Sequence, residues 1–255
     1  MGRNVSGDGI LEQGNIYFLY RPKVDKERAR NRNEVERFYV VLSPEGKKLY
    51  REIIIGQKML PKIRNGGERN WGFVKMVTSD PHDLEQEFGQ ITYDTKTRGK
   101  RELAPARPAG EGVYAIVRHG GHTHLAYSLE LPEKPREVQR ELRIEDEGSY
   151  IFSVKNPEKS SPSRVGLSDE QKAEYPQKLK DVFAGRRFAD ADPPDPLDFP
   201  GAEIMLIGAR EDPAEELEIG MHPEQETEST ADVFRDLKLN RRKHPTRPLF
   251  QGKWE

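Results

Sequence analysis

The clearest alternation of apolar and polar positions lies in the middle of the chain. Two runs rich in β-branched and aromatic residues, 113–118 and 122–129, are separated by Gly120-Gly121. A two-residue Gly-Gly loop is typical of a type I′ hairpin turn, and it places the two residues that flank the glycines opposite each other. Because successive strand side chains point to opposite faces, we expect the face with the larger apolar groups to lie in the core.

Short runs of the same kind recur before residue 156, and they predict a β-rich fold. We predict strands at residues 15–20, 37–42, 49–55, 71–77, 138–144 and 149–155, and a later strand at 202–207 that joins the same sheet. Two segments break this pattern. Residues 23–36 are predicted as an exposed loop or short helix, and residues 98–112 as a surface loop with two prolines and several glycines.

Helical signals begin only after residue 165. Ser168 and Gln171 form a capping-box pattern, and Leu179, Val182 and Phe183 have helical spacing. A second short helix is predicted at residues 230–237. The final residues carry apolar groups that favour docking of the tail: Leu249, Phe250 and Trp254.

These elements predict a mainly β fold, either a sandwich or an open barrel of about eight or nine short strands, with short helices and a docked C-terminal tail. Residues 1–13 are predicted to be disordered, and 14–210 to form a β-rich domain with a peripheral helix. Residues 211–255 are predicted to add an acidic loop, a short helix and the tail to the same domain.

Composition favours a cytoplasmic protein without a membrane segment. The chain has no cysteine, so disulfides, thiol chemistry and Cys zinc sites are excluded. No apolar run reaches bilayer-spanning length, and the first 15 residues lack the apolar core of a signal peptide. Gly2 followed by Ser6 matches the minimal myristoylation pattern, which is short and often accidental.

Charge is unevenly distributed although the total is only −2. Residues 1–110 have a net charge of +6, residues 190–232 of −13 and residues 235–255 of +5. We expect the acidic segment to pair with basic parts of the same chain. The alternative is a basic face for nucleic acid. Its candidate contacts are Arg21, Lys23, Arg28, Arg30, Lys96, Arg98, Lys100 and Arg101.

Three of the six histidines lie at the predicted hairpin tip: His119, His122 and His124. All three are expected on one face, and neutral imidazoles are common ligands of divalent metals, so a metal site is one hypothesis. The other is a polar, solvent-facing tip. A metal-dependent enzyme built on these histidines is therefore an alternative function. No Walker loop, nucleophile elbow or dinucleotide fingerprint is present.

Several segments carry a resemblance to a known group of proteins. They are GNIYFLYRPKV (14–24), GQKMLP (56–61), WGFV (71–74), GEGVY (110–114), HTHL (122–125) and KNP (155–157). Together they resemble an uncharacterised family of bacterial and fungal proteins, some of whose fungal members carry a BTB-domain transcription factor label. The resemblance extends to Trp254 and implies one coherent unit. It implies no activity and no catalytic residue, and the sequence shows no BTB helical core.

The function that the sequence favours is a non-enzymatic, cytosolic binding or scaffold module without a cofactor. Its partner, which we expect to be a protein, is not specified by any motif. Aromatic residues such as Tyr17, Phe18 and Trp71 could stack on nucleic-acid bases, but strand aromatics are more often core residues.

Overall fold

The computed structural model describes residues 6–63, 67–97, 99–161, 166–209 and 217–255. Strands and helices in these ranges are numbered in chain order. The strands are β1 (Ile10–Pro22), β2 (Val35–Pro44), β3 (Tyr50–Ile55), β4 (Arg69–Thr78), β5 (Ile91–Thr95), β6 (Gly99–Leu103), β7 (Arg107–His119), β8 (His122–Leu131), β9 (Glu147–Lys155), β10 (Phe188–Asp190) and β11 (Glu203–Gly208). The helices are α1 (Pro81–Phe88), α2 (Glu137–Leu142), α3 (Gln177–Val182), α4 (Asp232–Asp236) and α5 (Arg247–Gln251).

Eight strands form a closed antiparallel barrel, which confirms the mainly β prediction. Their order is β9-β11-β4-β3-β2-β1-β7-β8, and pairing of β8 with β9 closes the ring. The sheet pattern alone left a sandwich and an open barrel as alternatives. β10 continues the line of β8 along the same edge of β9, and β5 with β6 forms a separate two-stranded ribbon.

The central hairpin has the predicted register. His119 is opposite His122, and both turn glycines have positive φ, +58° at Gly120 and +82° at Gly121. The face predicted to be core lies inside the barrel, where Tyr114 and Tyr127 are fully buried or nearly so. The hairpin is therefore confirmed in its position, pairing and inward face.

Side chains fill the interior of the barrel. Alternate residues of every strand point inward, among them Phe18 on β1, Val40 on β2 and Phe152 on β9. The central cavity that remains is only about 10 Å³ and is lined by apolar residues. An eight-stranded barrel is just wide enough for side chains to fill it, so this interior is a packed core and has no room for a ligand.

Both ends of the barrel are closed. At one end, the buried guanidinium of Arg51 pairs with Glu12 and Asp198, and the Tyr114 hydroxyl donates to Glu12. Tyr20 is eight residues further along β1, at the opposite end. Its ring contacts the indole of Trp254 with the centroids 5.0 Å apart. The docked tail predicted from the sequence is confirmed by this contact.

Later segments of the chain cover much of the outer wall. Helices α1, α4 and α5 pack on the outer faces of β1, β2 and β3. The outer face of the central hairpin is covered by Leu217, Ile219 and Met221, whereas His119 and His122 at its tip are exposed. Small side chains such as Ala115 and Ala126 allow this close packing.

The prediction of a strand at 138–144 is wrong, because these residues include helix α2. Val138 and Leu142 are one helical turn apart and both are fully buried in the core. The side chain of Gln139 accepts the Arg136 N–H at 3.1 Å and donates to the carbonyl of Ala109 at 2.7 Å. Helical spacing of a short apolar set was mistaken for a strand.

Three other segments differ from the predictions. Helix α1 was not predicted, although Asp80 caps it by accepting the His82 N–H at 3.0 Å. The segment 98–112 contains β6 and the start of β7 instead of a loop. Strand β1 begins at Ile10, and Ser6 forms a bridge with Gly220, so residues 6–13 are not a disordered end.

In the described ranges, no helix is long and apolar enough to cross a membrane. Gly2 lies outside these ranges.

Candidate functional site

The three predicted metal ligands do not converge on one point. His124 is 5% exposed, whereas His119 and His122 are exposed. The His124 ring lies edge-on to His119 with centroids 6.0 Å apart, and the Nδ1 of His122 lies 3.8 Å from Asp190 Oδ1 on β10. Across the described ranges, no three His, Cys, Asp or Glu residues are grouped so that they could hold a metal ion.

Contacts between β8 and the end of β10 fix the position of the hairpin tip that carries the histidines. The hydroxyl of Thr123 donates to the carbonyl of Phe152 at 2.6 Å and accepts the N–H of Ala191 at 2.9 Å. Nearby, Arg118 pairs with Asp192. The hairpin tip is therefore tied to β10, and His122 lies beside an acid of that strand.

The predicted nucleic-acid contacts differ in how exposed they are. Arg21 is buried, and its guanidinium donates to the carbonyls of Gly89 at 3.0 Å and Ala104 at 2.6 Å, so it cannot reach a nucleic acid. Arg101 pairs with Asp25 at 2.8 Å. Five members of the set are exposed: Lys23, Arg28, Arg30, Lys96 and Lys100. Arg98 lies outside the described residues.

Acidic side chains are interleaved with these exposed cations. Lys26 pairs with Glu34, and Arg28 lies 4.0 Å from Glu27. A surface hollow of about 480 Å³ beside the β5–β6 ribbon is lined by both signs of charge. Nucleic-acid binding by the exposed members of the set stays a prediction, and a shift assay at low salt tests it.

The acidic segment pairs inside the chain, as the intramolecular explanation of the charge pattern predicts. Asp198 binds Arg51, Asp192 binds Arg118 and Glu203 binds Lys155. Residues 210–216, which contain most of the acidic run after β11, lie outside the described ranges.

A different region combines apolar and polar groups in one groove, which we call the wall groove. It lies on the outer face of β4 and β11, has a volume of about 310 Å³, and is bordered by the loop after β3. Eight residues line it: Gly56, Gln57, Trp71, Gly72, Phe73, Gly166, Leu167 and Glu203.

The pairing of β4, β11 and β9 brings the residues of the wall groove together. Glu203 on β11 lies opposite Phe73 on β4, and Lys155 of β9 lies on the other side of Glu203. Since Val74 and Ile204 point into the barrel, their neighbours Phe73 and Glu203 point outward. Three strands that are distant in sequence thus place an aromatic ring, a carboxylate and an ammonium side by side.

The polar centre of the wall groove is a buried ion pair. Glu203 is 4% exposed, and its Oε2 accepts from Nζ of the fully buried Lys155 at 2.8 Å. Oε1 of Glu203 accepts the Leu167 N–H at 3.1 Å and the Ser161 hydroxyl at 3.3 Å. An ionised carboxylate has about four acceptor positions, and the bonds from described residues occupy three of them.

Aromatic rings form the apolar part of the wall groove. Trp71 and Phe73 are partly exposed, and the Trp71 indole lies against Phe188 with ring centroids 5.6 Å apart. Of the three aromatic residues considered for base stacking, Tyr17 and Phe18 are buried, which confirms that they are core residues. Trp71 instead presents part of its indole to the groove.

Two buried carboxyl groups elsewhere have raised pKa values but lie under covering segments. Burial raises the pKa of Glu52 to about 7, beneath Lys75 and near Glu87. Burial, followed by the neighbouring carboxyl of Glu226, raises the pKa of Glu111. Glu111 accepts the N–H of Val233 at 2.7 Å at the start of α4, so its role is to anchor this helix.

The wall groove was missed in the sequence because none of its parts forms a local motif. Glu203 is the first residue of β11, immediately before the apolar run 204–207, and Lys155 ends β9 48 residues earlier. The signal that could have indicated it is an isolated charged residue within or beside an apolar run. Charged residues are rarely buried unless they are paired, so such a residue predicts a buried ion pair.

Comparison of the chain with protein-family models, curated proteins and solved structures finds no match. The resemblance to the bacterial and fungal family therefore stays a prediction, and we infer function from the geometry of the chain itself.

Proposed function

We propose that this protein is a non-enzymatic binding module and that the wall groove holds a small, uncharged ligand. The observation that carries this proposal is the buried Glu203–Lys155 pair beside the partly exposed indole of Trp71. A ligand site combines an apolar surface with a few precisely held polar groups, and this pair supplies such groups.

The shape of the barrel supports a site on its wall. The central cavity of about 10 Å³ is too small for any ligand, whereas the wall groove of about 310 Å³ is large enough for a single ring. Two larger surface hollows, of about 480 and 420 Å³, lack an aromatic side chain among their lining residues.

The polar groups of the wall groove favour binding over catalysis. Lys155 is fully buried and bonded to Glu203, so it is not available as a nucleophile. Of the eight lining residues, only Gln57, Trp71 and Glu203 carry polar side-chain atoms. These groups can position a ligand, and the side chains of Gln57 and Trp71 do not ionise near neutral pH.

A thermal-shift screen tests the proposal. Wild-type protein is heated with the uncharged compounds glucose, N-acetylglucosamine, adenosine or phenol in turn, and with the cations choline and arginine as comparison compounds. Because a compound that binds only the folded state stabilises it, we expect at least one uncharged compound to raise the Tm in a concentration-dependent manner. The same compound should give no shift with Trp71→Ala.

Tyr93→Ala is the matched control, because Tyr93 is an exposed aromatic residue on the β5–β6 ribbon, remote in sequence from the wall groove. It should retain the shift. A shift that persists in Trp71→Ala, or no shift with any uncharged compound, would contradict the proposal.

We propose that the protein is cytoplasmic and that it can bind a protein partner as well as an uncharged ligand. The expectation of a protein partner rests only on composition and charge, and affinity purification of the whole chain tests it. We give the small ligand priority because the groove has room for one ring and has its polar groups in place.

A further inference from the structure

We infer that the ligand of the wall groove is a sugar ring. This inference rests on the proposed function and specifies the chemical class of its ligand. It follows from three features of the groove: an acceptor in its floor, an amide at its rim and an aromatic strip between them.

The floor of the groove carries an acidic residue that can accept a hydrogen bond from the ligand. Glu203 lines the groove, whereas Lys155 is fully buried and does not. Of this ion pair, Glu203 is therefore the member that a ligand can contact. Hydrogen bonds to ionised acceptors are about twice as strong as neutral ones, and a sugar hydroxyl is a suitable donor.

The rim adds a second polar contact on the other side of β4. Gln57 is exposed in the loop after β3, and its amide can both donate and accept. Strand β4 lies between β3 and β11, so Trp71 and Phe73 separate Gln57 from Glu203. A ring with hydroxyls around its edge can reach both polar groups while it covers the aromatic strip.

The aromatic strip fits the face of a sugar ring. The π face of an aromatic ring carries a partial negative charge, which attracts the weakly positive C–H groups on the face of a pyranose. The Trp71 indole is supported from one side by Phe188 at 5.6 Å, which holds it in place.

Charge argues against ionic ligands. The ammonium of Lys155 lies 2.8 Å from the carboxylate of Glu203, so the pair has no net charge to attract a cation. An anion would meet the Glu203 oxygen and be repelled by it. The groove therefore favours a neutral ligand with several donors.

Titration calorimetry on the full chain tests the inference. The probes are methyl β-glucoside, N-acetylglucosamine, cellobiose and chitobiose, and the comparison compounds are adenosine and choline chloride. We expect saturable heat with at least one sugar. Glu203→Gln should weaken that binding at least tenfold, because the ionised acceptor is lost.

Glu203→Gln also removes the partner of Lys155, so it could fail to fold. Gln57→Ala is the second variant, since Gln57 is exposed at the rim, and we expect it to weaken sugar binding about fivefold. Its matched control is Gln225→Ala, an exposed glutamine in the chain after Met221, which should bind as wild type does.

The outcomes separate the two proposals. Trp71-dependent binding of adenosine, with no sugar bound, would overturn the sugar inference and leave the binding function in place, whereas binding of choline alone would contradict both proposals. Sugar binding that is unchanged in both Glu203→Gln and Gln57→Ala would also overturn it. If none of the compounds in either panel binds, both proposals fail.

Discussion

At the scale of single residues, buried charges in this barrel are compensated in different ways. Arg21 and Arg107 donate to backbone carbonyls, and Lys155 pairs with Glu203. Glu52 differs from them. It is fully buried, neither of its oxygens has a hydrogen-bond partner among the described residues, and Lys75 Nζ lies 3.7 Å away.

The raised pKa of Glu52 predicts how stability depends on pH. Burial raises this pKa from 4.5 to about 7, so the folded state binds more protons than the unfolded state between these values. Stability from this group is fully present below pH 4.5 and is lost as pH rises through 7. Glu52→Gln removes the loss, and its advantage in free energy of unfolding should approach about 3 kcal/mol by pH 9.

Urea denaturation of both proteins from pH 4 to pH 9 measures this difference. Glu133→Gln, a change at an exposed glutamate, is the control and should follow the wild type at every pH. An advantage of Glu52→Gln that is the same at pH 4 and pH 9 would show that Glu52 has an ordinary pKa in the folded protein.

At the scale of elements, the hairpin of β7 and β8 uses glycine for two different reasons. Gly120 has a φ of +58° at the turn, and an added Cβ there meets no atom within 4 Å. Gly112 lies beside a bulge within β7, and an added Cβ would overlap the Ser128 carbonyl oxygen of β8.

These two glycines predict unequal costs for the same substitution. Gly120→Ala should destabilise the protein by about 1–2 kcal/mol, because alanine is strained in the left-handed region. Gly112→Ala should cost more than about 3 kcal/mol, since the backbones of β7 and β8 must separate. Chemical denaturation of both variants compares them, and equal costs would mean that the hairpin adjusts freely at Gly112.

An element was predicted correctly from the sequence when the residues that determine it lie close together along the chain. The central hairpin was predicted in register because its turn glycines and alternating side chains lie within 20 residues. Segment 138–144 was wrongly predicted as a strand because the spacing of Val138 and Leu142 fits a short helix or a short strand. The hydrogen bonds that hold the helix in place join Gln139 to Ala109 and Pro248, which are distant from it in sequence. Barrel closure and the wall groove depend on pairings between remote strands, which no local pattern contains.

At the scale of the whole molecule, the chain encloses its own barrel. Arg51 and its partners close one end, and α2 with the tail closes the other. The backbone N–H of Val138 donates to Gly252 at 3.0 Å, and Trp254 Nε1 donates to Glu141 at 3.1 Å. The C-terminal tail is therefore part of the core.

Removal of the Trp254 ring should destabilise the whole barrel. Trp254→Ala deletes a 5%-exposed indole that contacts Tyr20, so we expect a loss of about 3–5 kcal/mol. Lys253→Ala, at the exposed neighbouring position, should change stability by less than about 0.5 kcal/mol. Urea unfolding measures both, and similar values for the two variants would mean that the tail is not part of the core.

The central claim is that the ligand binds on the wall of the barrel and not inside it. The chain has two tryptophans, and they report on these two places: Trp71 lines the wall groove, and Trp254 lies in the closed end. In an NMR titration of the two indole N–H signals with N-acetylglucosamine, cellobiose and adenosine in turn, we predict that the Trp71 signal moves and the Trp254 signal stays. Movement of the Trp254 signal alone, or of neither signal with any of the three compounds, would contradict the account.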